Sequence, residues 1–543
     1  MADEKLNIVV LGASFAGLSV VHHLIRQVIP AITSKSKTLA YRVIVISPSS
    51  HLYWNISAPR AAVSNDLVTH DESFIPIQNA FQQYSSQVLT WLLGVATDLD
   101  PTTRTITITT IGGGDGKNSK KRSIGHHLSK SSFEKDIHDG VPFGWHESVA
   151  DDARNAEIRL NYHALIFATG STSHSSLMSL RGPHVNTRDA LDAFRSRLIS
   201  AKTIVVAGGG PSGVELAGQI AYYSNKKDGP LRIPDNQGLG NKRRESDGSM
   251  VETGPFIPLP QWSGKKFRPR QIVLVSSSAR LLPKLDKTLG EKAARQLKNL
   301  GVHVRIGITV RQASADSTTG LTTVQLDSGE LISCDLYAPC TGVAPNTQYL
   351  PPASPLLEDG YIKTTAMPTT LRVEVPDHLL PMKGEATLTT SNVPGSRFSS
   401  STTGSSNLSG DIDPRLYAIG DCASYSTGCV GDIYASMPVL VRNMKNDLLA
   451  YQLHANNPYG GNAEDIAELR RRDAVFTRDR RISQLVPIGG RRPGGVGILL
   501  GHHLPSLLVW LFKGRSYMAK HAIDVVEEGI SPYQMDNKKA FAP

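Results

Sequence analysis

One pattern occurs twice in this chain and limits the folds that it can adopt. It consists of a short apolar strand, a glycine turn, a helix and a second buried strand. The ranges of strand, helix and second strand are 6–11, 15–28 and 41–46 in the first copy and 203–207, 214–223 and 271–275 in the second. Apolar runs of this length that alternate with helical patterns are typical of buried parallel strands. The sequence therefore predicts two βαβ units.

The glycine turn of the second copy fits a dinucleotide-binding loop. It reads Gly208-Gly-Gly210-Pro-Ser-Gly213 and has a strand before it and a helix after it. In such a loop Gly208 permits the tight turn, Gly210 lets the backbone approach a pyrophosphate, and Gly213 permits close packing of helix and strand. The phosphates then lie at the N-terminus of the helix, where free N–H groups and the helix dipole favour an anion.

The turn of the first copy reads Gly12-Ala13-Ser14-Phe15-Ala16-Gly17, so Ser14 stands in place of the second glycine. Serine is small enough to allow the approach, and its hydroxyl can contact a phosphate. Taken alone, this turn is as consistent with a plain strand-to-helix connection as with a nucleotide site. The presence of a second unit in the same chain favours the nucleotide site.

Neither unit has the acidic residue that commonly binds the adenosine ribose at the end of the second strand. No Asp or Glu occurs between Lys5 and Asn65, and Ser47 takes that place in the first unit. The second unit has Ser276-Ser-Ser278-Ala-Arg280. Because no carboxylate would repel a 2′-phosphate, both NADH and NADPH stay open. Arg280 is a candidate contact for that phosphate, although a solvated residue at the entrance to a helix is the favoured interpretation.

Composition restricts the function classes. The 543 residues carry 58 Lys and Arg against 48 Asp and Glu, a formal net charge of +10, and 40% are hydrophobic, which is ordinary for a globular protein with a sizeable core. The four cysteines form no Cys-x-x-Cys pair, and the pairs His22–His23, His126–His127 and His502–His503 lack neighbouring ligands at metal-binding spacing. The sequence therefore predicts no metal site and a reducing compartment, and the histidine pairs are expected to be ordinary packing or surface residues.

Three ranges of biased composition interrupt the pattern, at 111–140, 226–270 and 377–411. The second range carries ten Lys and Arg against five Asp and Glu, which is half of the net charge of the chain. It lacks the interleaved aromatic residues that nucleic-acid-binding segments use. A solvated loop is therefore favoured, and nucleic acid is not expected as a partner.

The predicted fold class is α/β, with two Rossmann-like dinucleotide-binding domains and a C-terminal α+β region. The second domain is nested within a discontinuous first domain, because strand-and-turn segments that resemble parts of the first unit also follow the second. The predicted parts are 1–195 and 346–450 for the first domain, 196–345 for the second domain and 451–543 for the C-terminal region.

The sequence predicts a soluble or peripheral protein. It shows no leader pattern, and no apolar stretch approaches the 18 or more residues that span a bilayer. The segment from Leu504 to Phe512 is about half that length and is followed by Lys513 and Arg515. A packed helix is favoured for it; the alternative is a segment in the membrane interface, with Trp510 at headgroup depth and both cations on lipid phosphate. A cytoplasmic location with peripheral membrane contact is therefore an expectation.

Six further motifs, taken together, resemble a known family. They are Ala168-Thr-Gly170, Cys340-Thr-Gly342, Tyr417-Ala-Ile-Gly-Asp421-Cys422-Ala423, His51-Leu-Tyr-Trp-Asn55, Ala58-Pro-Arg60-Ala61 and the region from Gly489 to Gly501 with Trp510 after it. With the two glycine turns they resemble the two-dinucleotide-binding-domain flavoproteins. Within these, the resemblance is to the apoptosis-inducing-factor-like branch that includes the ferroptosis suppressor protein and type II NADH dehydrogenases.

The resemblance implies FAD in the first unit and NAD(P)H in the second. The implied contacts are Gly12, Ala13, Ser14, Phe15, Ala16, Gly17, Arg60, Ala96 and Asp421 for FAD, and Gly208, Gly210, Gly213 and Glu215 for NAD(P)H. Among these, Arg60 is implied to contact the flavin, Ala96 the adenine through its backbone, and Asp421 the ribityl chain.

The resemblance also implies hydride transfer from the nicotinamide to the flavin and then to an external acceptor, with a quinone favoured. No cysteine pair lies near residues 40–60, which separates the chain from the disulfide reductases of the same fold. Because the cofactors supply the chemistry, no side chain is predicted as an obligate catalytic base. Two alternatives stay open: an enzyme that modifies one particular metabolite, and a protein whose redox state controls binding to DNA or a partner.

Overall fold

The structure is a computed structural model, and the residues that it describes form nine ranges. These are 5–34, 39–111, 156–224, 270–380, 415–457, 462–479, 481, 483–490 and 494–533. Nearly all of the three ranges of biased composition, and the histidine pair at 126–127, lie outside the described residues.

The described strands follow the predicted pattern of short buried runs. In chain order they are β1 (Leu6–Leu11), β2 (Tyr41–Ser47), β3 (His51–Tyr53), β4 (Phe74–Pro76), β5 (Leu89–Asp100), β6 (Thr105–Thr110), β7 (Glu157–Asn161), β8 (Ala164–Phe167), β9 (Ser171–Ser173), β10 (Thr203–Ala207), β11 (Gln271–Ser276), β12 (Val302–Ile306), β13 (Val310–Ala315), β14 (Thr322–Leu326), β15 (Leu331–Cys334), β16 (Leu336–Pro339), β17 (Val343–Pro345), β18 (Leu357–Glu358), β19 (Tyr361–Ile362), β20 (Leu416–Ala418), β21 (Gln484–Val486), β22 (Val496–Leu499) and β23 (His502–His503).

The described helices connect these strands and cover the sheets. They are α1 (Phe15–His23), α2 (Ile29–Thr33), α3 (Ala58–Ala61), α4 (His70–Ser73), α5 (Gln78–Phe81), α6 (His184–Ser200), α7 (Pro211–Ser224), α8 (Lys287–Asn299), α9 (Val430–Asn456), α10 (Ala463–Arg471), α11 (Ser506–Val509) and α12 (His521–Glu528). The longest of them is α9, with 27 residues.

The largest sheet has seven strands in the order β20-β8-β1-β2-β5-β6-β7. Its first five strands pair in parallel, and β6 and β7 extend it as antiparallel strands. A second sheet, in the order β12-β11-β10-β16, is parallel throughout. Because β20 follows the whole second sheet in the chain, the first unit is discontinuous and the second is inserted into it. This confirms the predicted fold class.

The helix after the first glycine turn is longer than predicted. A π-helical turn, Leu24–Val28, joins α1 and α2 into one run, Phe15–Thr33. Among the described residues, this 19-residue run is the one helix whose length and composition would allow it to cross a membrane. Of its most apolar 18-residue stretch, 61% is buried inside the protein. His22 and Arg26 interrupt its apolar side chains, which is why no span was expected from the sequence. The run is the core helix of the first βαβ unit, because α1 packs on β1 and α9.

The apolar segment near the C-terminus folds as α11 and a π-helical turn, Trp510–Gly514. Val509 is fully buried, as a packed helix requires, whereas Leu507 and Leu511 are 55% and 47% exposed. The indole N–H of Trp510 donates to the Gly490 carbonyl at 3.1 Å. Trp510 is therefore anchored in the protein, as the favoured packed helix requires, and the alternative in the membrane interface stays a prediction.

Candidate functional site

The carboxyl edge of the seven-stranded sheet borders a cavity of about 600 Å³, called here the first cavity. Its wall includes the glycine turn from Gly12 to Ala16, Ser47 at the end of β2, Ala96 on β5, the turn at Gly170, and Asp421. In open α/β sheets, ligands bind outside the carboxyl ends of parallel strands. The first cavity therefore lies where a nucleotide of the first unit would bind.

The turn that borders this cavity accepts only glycine at two positions. Gly12 has φ +102°, and an added Cβ would lie 2.3 Å from the Ala168 carbonyl oxygen. A Cβ at Gly17 would lie 1.9 Å from the carbonyl oxygen of Gly12. Ser14 lines the cavity and is exposed. The turn thus presents the start of α1 and the Ser14 hydroxyl to the cavity, while Gly17 acts in packing.

The second parallel sheet borders a larger cavity of about 870 Å³, called here the second cavity. An added Cβ at Gly208, which has φ +126°, would lie 2.1 Å from the Cys340 carbonyl oxygen, and one at Gly213 would lie 2.0 Å from the carbonyl oxygen of Gly208. A Cβ at Gly210 would meet nothing within 4 Å. Because Gly210 faces open space at the start of α7, the loop leaves room for a pyrophosphate, as a dinucleotide requires.

The two cavities meet. Four residues line both of them: Asn55, Ser171, Ser179 and Asp421. The Asp421 carboxylate accepts hydrogen bonds from the hydroxyls of Ser171 at 3.2 Å and Ser426 at 3.4 Å. Burial raises the pKa of the Asp421 carboxyl, and these two hydrogen bonds oppose that rise. The junction is the place where the reacting ends of two bound cofactors can meet.

Of the four junction residues, the sequence assigned a role to Asp421 alone. Asn55 ends the His51-Leu-Tyr-Trp-Asn55 motif and Ser171 follows the Gly170 turn, so both lay at or beside recognised motifs. Ser179 had no local signal, because it lies outside the strands and motifs.

Glu215 lines the second cavity in a buried ion pair. Its side chain is 2% exposed, and its Oε1 lies 2.7 Å from the Nζ of Lys513, which lines the same cavity. Burial raises the pKa of the Glu215 carboxyl, and the Lys513 ammonium opposes that rise. Lys513 therefore points into the protein, which contradicts the alternative in which it contacts lipid phosphate. No local pattern indicates this pair, since its partners lie in different elements far apart in the chain.

Arg60 does not reach either cavity. Its guanidinium donates to the carbonyls of Gly514 at 2.6 Å and Arg515 at 3.0 Å and to Gln219 at 3.0 Å, and it lies 4.5 Å above the ring of Tyr517. With these partners it fastens α3 to the C-terminal region. In the structure the arginine of the motif therefore holds two parts of the chain together, and its implied contact with the flavin stays a prediction.

The histidine pair at 22–23 is used for packing. Nε2 of His22 lies 2.8 Å from the Val526 carbonyl oxygen, and its ring stacks on Phe81 with centroids 4.6 Å apart. Burial lowers the pKa of His22 to about 4. The described part of the chain contains no group of three or more His, Cys, Asp and Glu residues that could hold a metal ion.

Two linked cavities, each at the carboxyl edge of a parallel sheet and beside a glycine turn, define a protein that binds two dinucleotides. The chain belongs to the pyridine nucleotide-disulphide oxidoreductase family, whose model matches residues 6–377. It is accordingly an oxidoreductase that uses FAD and NAD(P)H.

Comparison with individual proteins agrees with this family. The chain is 31% identical over 522 residues to oxidoreductase phnG of Penicillium herquei, covering 95% of this chain and 94% of that protein. It is 26% identical over 161 residues to the type II NADH:quinone oxidoreductase Ndh of Mycobacterium tuberculosis, covering 29% of this chain and 28% of that protein. The solved structure of NDH2 from Plasmodium falciparum in complex with RYL-552 has the same fold, with a TM-score of 0.52 and 14% identity over 96% of this chain and 98% of that one.

Proposed function

We propose that the protein is an NAD(P)H:quinone oxidoreductase of the apoptosis-inducing-factor-like branch. The observation that carries the proposal is the meeting of the two cavities at Asn55, Ser171, Ser179 and Asp421. When bound, FAD accepts a hydride from the nicotinamide and passes two electrons to a second substrate. The residues of the chain hold the two cofactors so that their reacting ends meet at the junction.

The proposed contacts follow from the placement of the predicted residues. On the FAD side they are Gly12 to Ala16, Ala96 and Asp421, which all line the first cavity, with Gly17 as a packing position. On the NAD(P)H side they are Gly208, Gly210 and Glu215, which line the second cavity, with Gly213 as the packing position.

The cysteines support an external acceptor. All four are unpaired. Burial raises the pKa of the Cys340 thiol, which lines the second cavity, to about 12, and burial also raises the pKa of Cys422 beside Asp421. Thiols that stay protonated at neutral pH are poor nucleophiles. Electrons therefore leave the flavin for an external acceptor without a cysteine pair as carrier.

The Glu215–Lys513 pair suits an acceptor that takes up protons. A quinone takes up two protons with two electrons. Glu215 and Lys513 line the second cavity and are shielded from bulk water, and burial raises the pKa of the Glu215 carboxyl. In this proposal the pair holds a proton at the wall of the second cavity.

A lipid-soluble quinone is supported by an apolar surface in the C-terminal region. This leucine surface consists of Leu499, Leu500, Leu507 and Leu511, which are 39% to 55% exposed. Leu507 and Leu511 are four residues apart and thus share one side of the helix, and α11 packs on β22. In the proposal this surface rests on an intracellular membrane and the protein is otherwise cytoplasmic. The quinone in the printed name of the Mycobacterium tuberculosis relative agrees with this acceptor.

A second candidate is an enzyme that modifies one particular metabolite. The observation that favours it is the extent of the similarity: oxidoreductase phnG matches 95% of the chain, whereas the quinone oxidoreductase matches 29%. A protein of this kind would have the same two cavities and a narrower choice of acceptor.

An acceptor screen on the FAD-loaded protein separates the two candidates. Each acceptor is tested with NADH and with NADPH. Reduction of several quinones that differ in their side chains supports the first proposal. Turnover confined to one particular metabolite supports the second. Absence of any NAD(P)H oxidation with all acceptors overturns both.

Sedimentation with anionic liposomes tests the membrane contact. The double variant Leu507→Gln/Leu511→Gln should lose sedimentation and keep turnover of a water-soluble quinone. Leu331→Gln is the matched control, because Leu331 is 63% exposed on β15, away from the leucine surface. Wild-type protein that never sediments contradicts the membrane contact and leaves a soluble acceptor.

A further inference from the structure

The second cavity extends from the junction to the end of β11. The junction residue Asp421 lies at one end, and Ser276 to Ser278 and the segment from Ile308 to Ala313 lie at the other. The two pieces at the far end are joined, because the backbone N–H groups of Gly307 and Ile308 donate to the carbonyls of Ser278 and Ser276, both at 3.0 Å. In a βαβ nucleotide site the adenosine ribose lies at the end of the second strand, which here is β11. The far end is therefore the adenosine end.

Charges are distributed unevenly along this cavity. Among the described residues that line it, the carboxylates are Asp421 at the junction and Glu215, which is paired with Lys513. The lining cations are Lys284, Arg311 and Lys513. Lys513 pairs with Glu215, and Lys284 donates to the carbonyl of Thr427 at 3.3 Å, near Asp421.

Among the described residues, Arg311 is thus the cation that lines the adenosine end of the second cavity. It is exposed on β13, three residues after Ile308. Arg311 interacts electrostatically with the Asp327 carboxylate, which accepts a hydrogen bond from the backbone N–H of Thr309 at 3.0 Å and does not line the cavity. Arg280 is not among the lining residues, and its guanidinium donates to the Pro283 carbonyl at 2.9 Å.

The chemistry of this end matches a phosphate better than a hydroxyl. A ribose 2′-hydroxyl is commonly held by a carboxylate acceptor, whereas a 2′-phosphate is held by a guanidinium and hydroxyl donors. The described residues at this end offer no lining carboxylate but one arginine and the hydroxyls of Ser277 and Ser278.

We infer that the protein prefers NADPH to NADH, with Arg311 binding the 2′-phosphate and Ser277 and Ser278 donating to it. This inference rests on the proposed function for the assignment of the second cavity to NAD(P)H. It makes Arg311, which belongs to a different strand from the expected Arg280, the residue that sets nucleotide specificity.

Binding measurements on FAD-loaded protein test the inference without an electron acceptor. Isothermal titration calorimetry would give dissociation constants for NADP⁺ and NAD⁺, and for the fragments 2′,5′-ADP and 5′-AMP. Wild-type protein should bind NADP⁺ and 2′,5′-ADP about tenfold or more tightly than their counterparts without the 2′-phosphate, since hydrogen bonds to charged groups give effects of this size.

Arg311→Ala should remove that preference and leave the dissociation constant for NAD⁺ within about twofold of the wild-type value. Arg295→Ala, which removes an exposed cation on α8 outside the cavity lining, should change neither constant. Ser277→Glu, which restores a strand-end carboxylate, should reverse the preference in favour of NAD⁺. FAD content and melting temperature show whether each variant is folded.

Equal binding of both nucleotides by wild-type protein, or an unchanged NADP⁺ constant in Arg311→Ala, overturns the inference. Failure to reduce any quinone would instead overturn the acceptor proposal, while the difference between 2′,5′-ADP and 5′-AMP would still stand.

Discussion

The two nucleotide-binding units share one turn and differ in what surrounds it. In both, a Cβ on the first glycine would overlap a carbonyl oxygen of the neighbouring strand connection, and one on the last glycine would overlap the carbonyl oxygen of the first. The middle position of the turn is Ser14 in the first unit and Gly210 in the second. Among the described residues, the buried histidines lie in the first unit. Backbone contacts therefore require glycine at the same two positions of both turns, whereas the side chains around each turn select the nucleotide.

The largest effect is expected at the first glycine of the first unit. Gly12→Val places a β-branched side chain at φ +102° and 2.3 Å from a backbone oxygen, which should cost about 3 kcal/mol or more and abolish FAD binding. The measurement is FAD absorbance of the purified protein together with thermal unfolding. Ser14→Ala is the comparison variant: it removes a hydroxyl that faces the cavity and adds no atoms to the turn, so it should weaken FAD binding much less than Gly12→Val does. A yellow, stable Gly12→Val protein would contradict the geometry of the turn.

The second largest effect is expected at Gly210, and it should distinguish the function of one unit from that of the other. Gly210→Val projects into the open space of the second cavity and should abolish NAD(P)H oxidation while bound flavin is retained. Flavin absorbance and steady-state NAD(P)H oxidation measure the two functions independently. A variant that loses FAD and keeps nicotinamide binding would show that the two units have been assigned in reverse.

A third effect concerns acid stability of the first unit. Burial lowers the pKa of His22 to about 4 and that of His163 to about 3. Below the unfolded value of about 6.5, the unfolded chain gains a proton on His22 that the folded protein does not take up. Stability should therefore fall as pH decreases from about 6.5 towards 4, by about 3 kcal/mol for His22 alone.

Unfolding monitored by flavin release between pH 7 and 4 measures this loss. His22→Gln should flatten the profile, whereas His303→Gln, at an exposed position of the second unit, should leave it unchanged. A wild-type profile that is already flat would be inconsistent with a neutral buried His22.

The smallest effect is expected at the junction. Asp421→Ala removes a carboxylate acceptor that lines the first cavity, which should cost about 1.5–3 kcal/mol, or about tenfold or more in FAD affinity. Titration of the apoprotein with FAD measures the change, and Asp377→Ala, at an exposed carboxylate, is the control. Unchanged affinity in Asp421→Ala would remove this residue from the FAD site.

Much of the scaffold could be predicted because it depends on local patterns. The strands at 203–207 and 271–275 were placed to within one residue, since short apolar runs before glycine turns have few alternatives. Motif residues were less reliable. Arg60 has the expected place in its motif, but its guanidinium is used by carbonyls of Gly514 and Arg515, which no local pattern could indicate.

Local sequence is enough to predict the two βαβ units, their glycine turns and the absence of a Cys-x-x-Cys pair, because each depends on residues that are close in the chain. The pairing of Lys513 with Glu215, and the place of Arg311 rather than Arg280 in the lining of the second cavity, depend on the folded chain. It also joined Asn55, Ser171, Ser179 and Asp421 at one junction. The physical reason is that these contacts are made between elements far apart in sequence, and packing of whole sheets and helices brings them together.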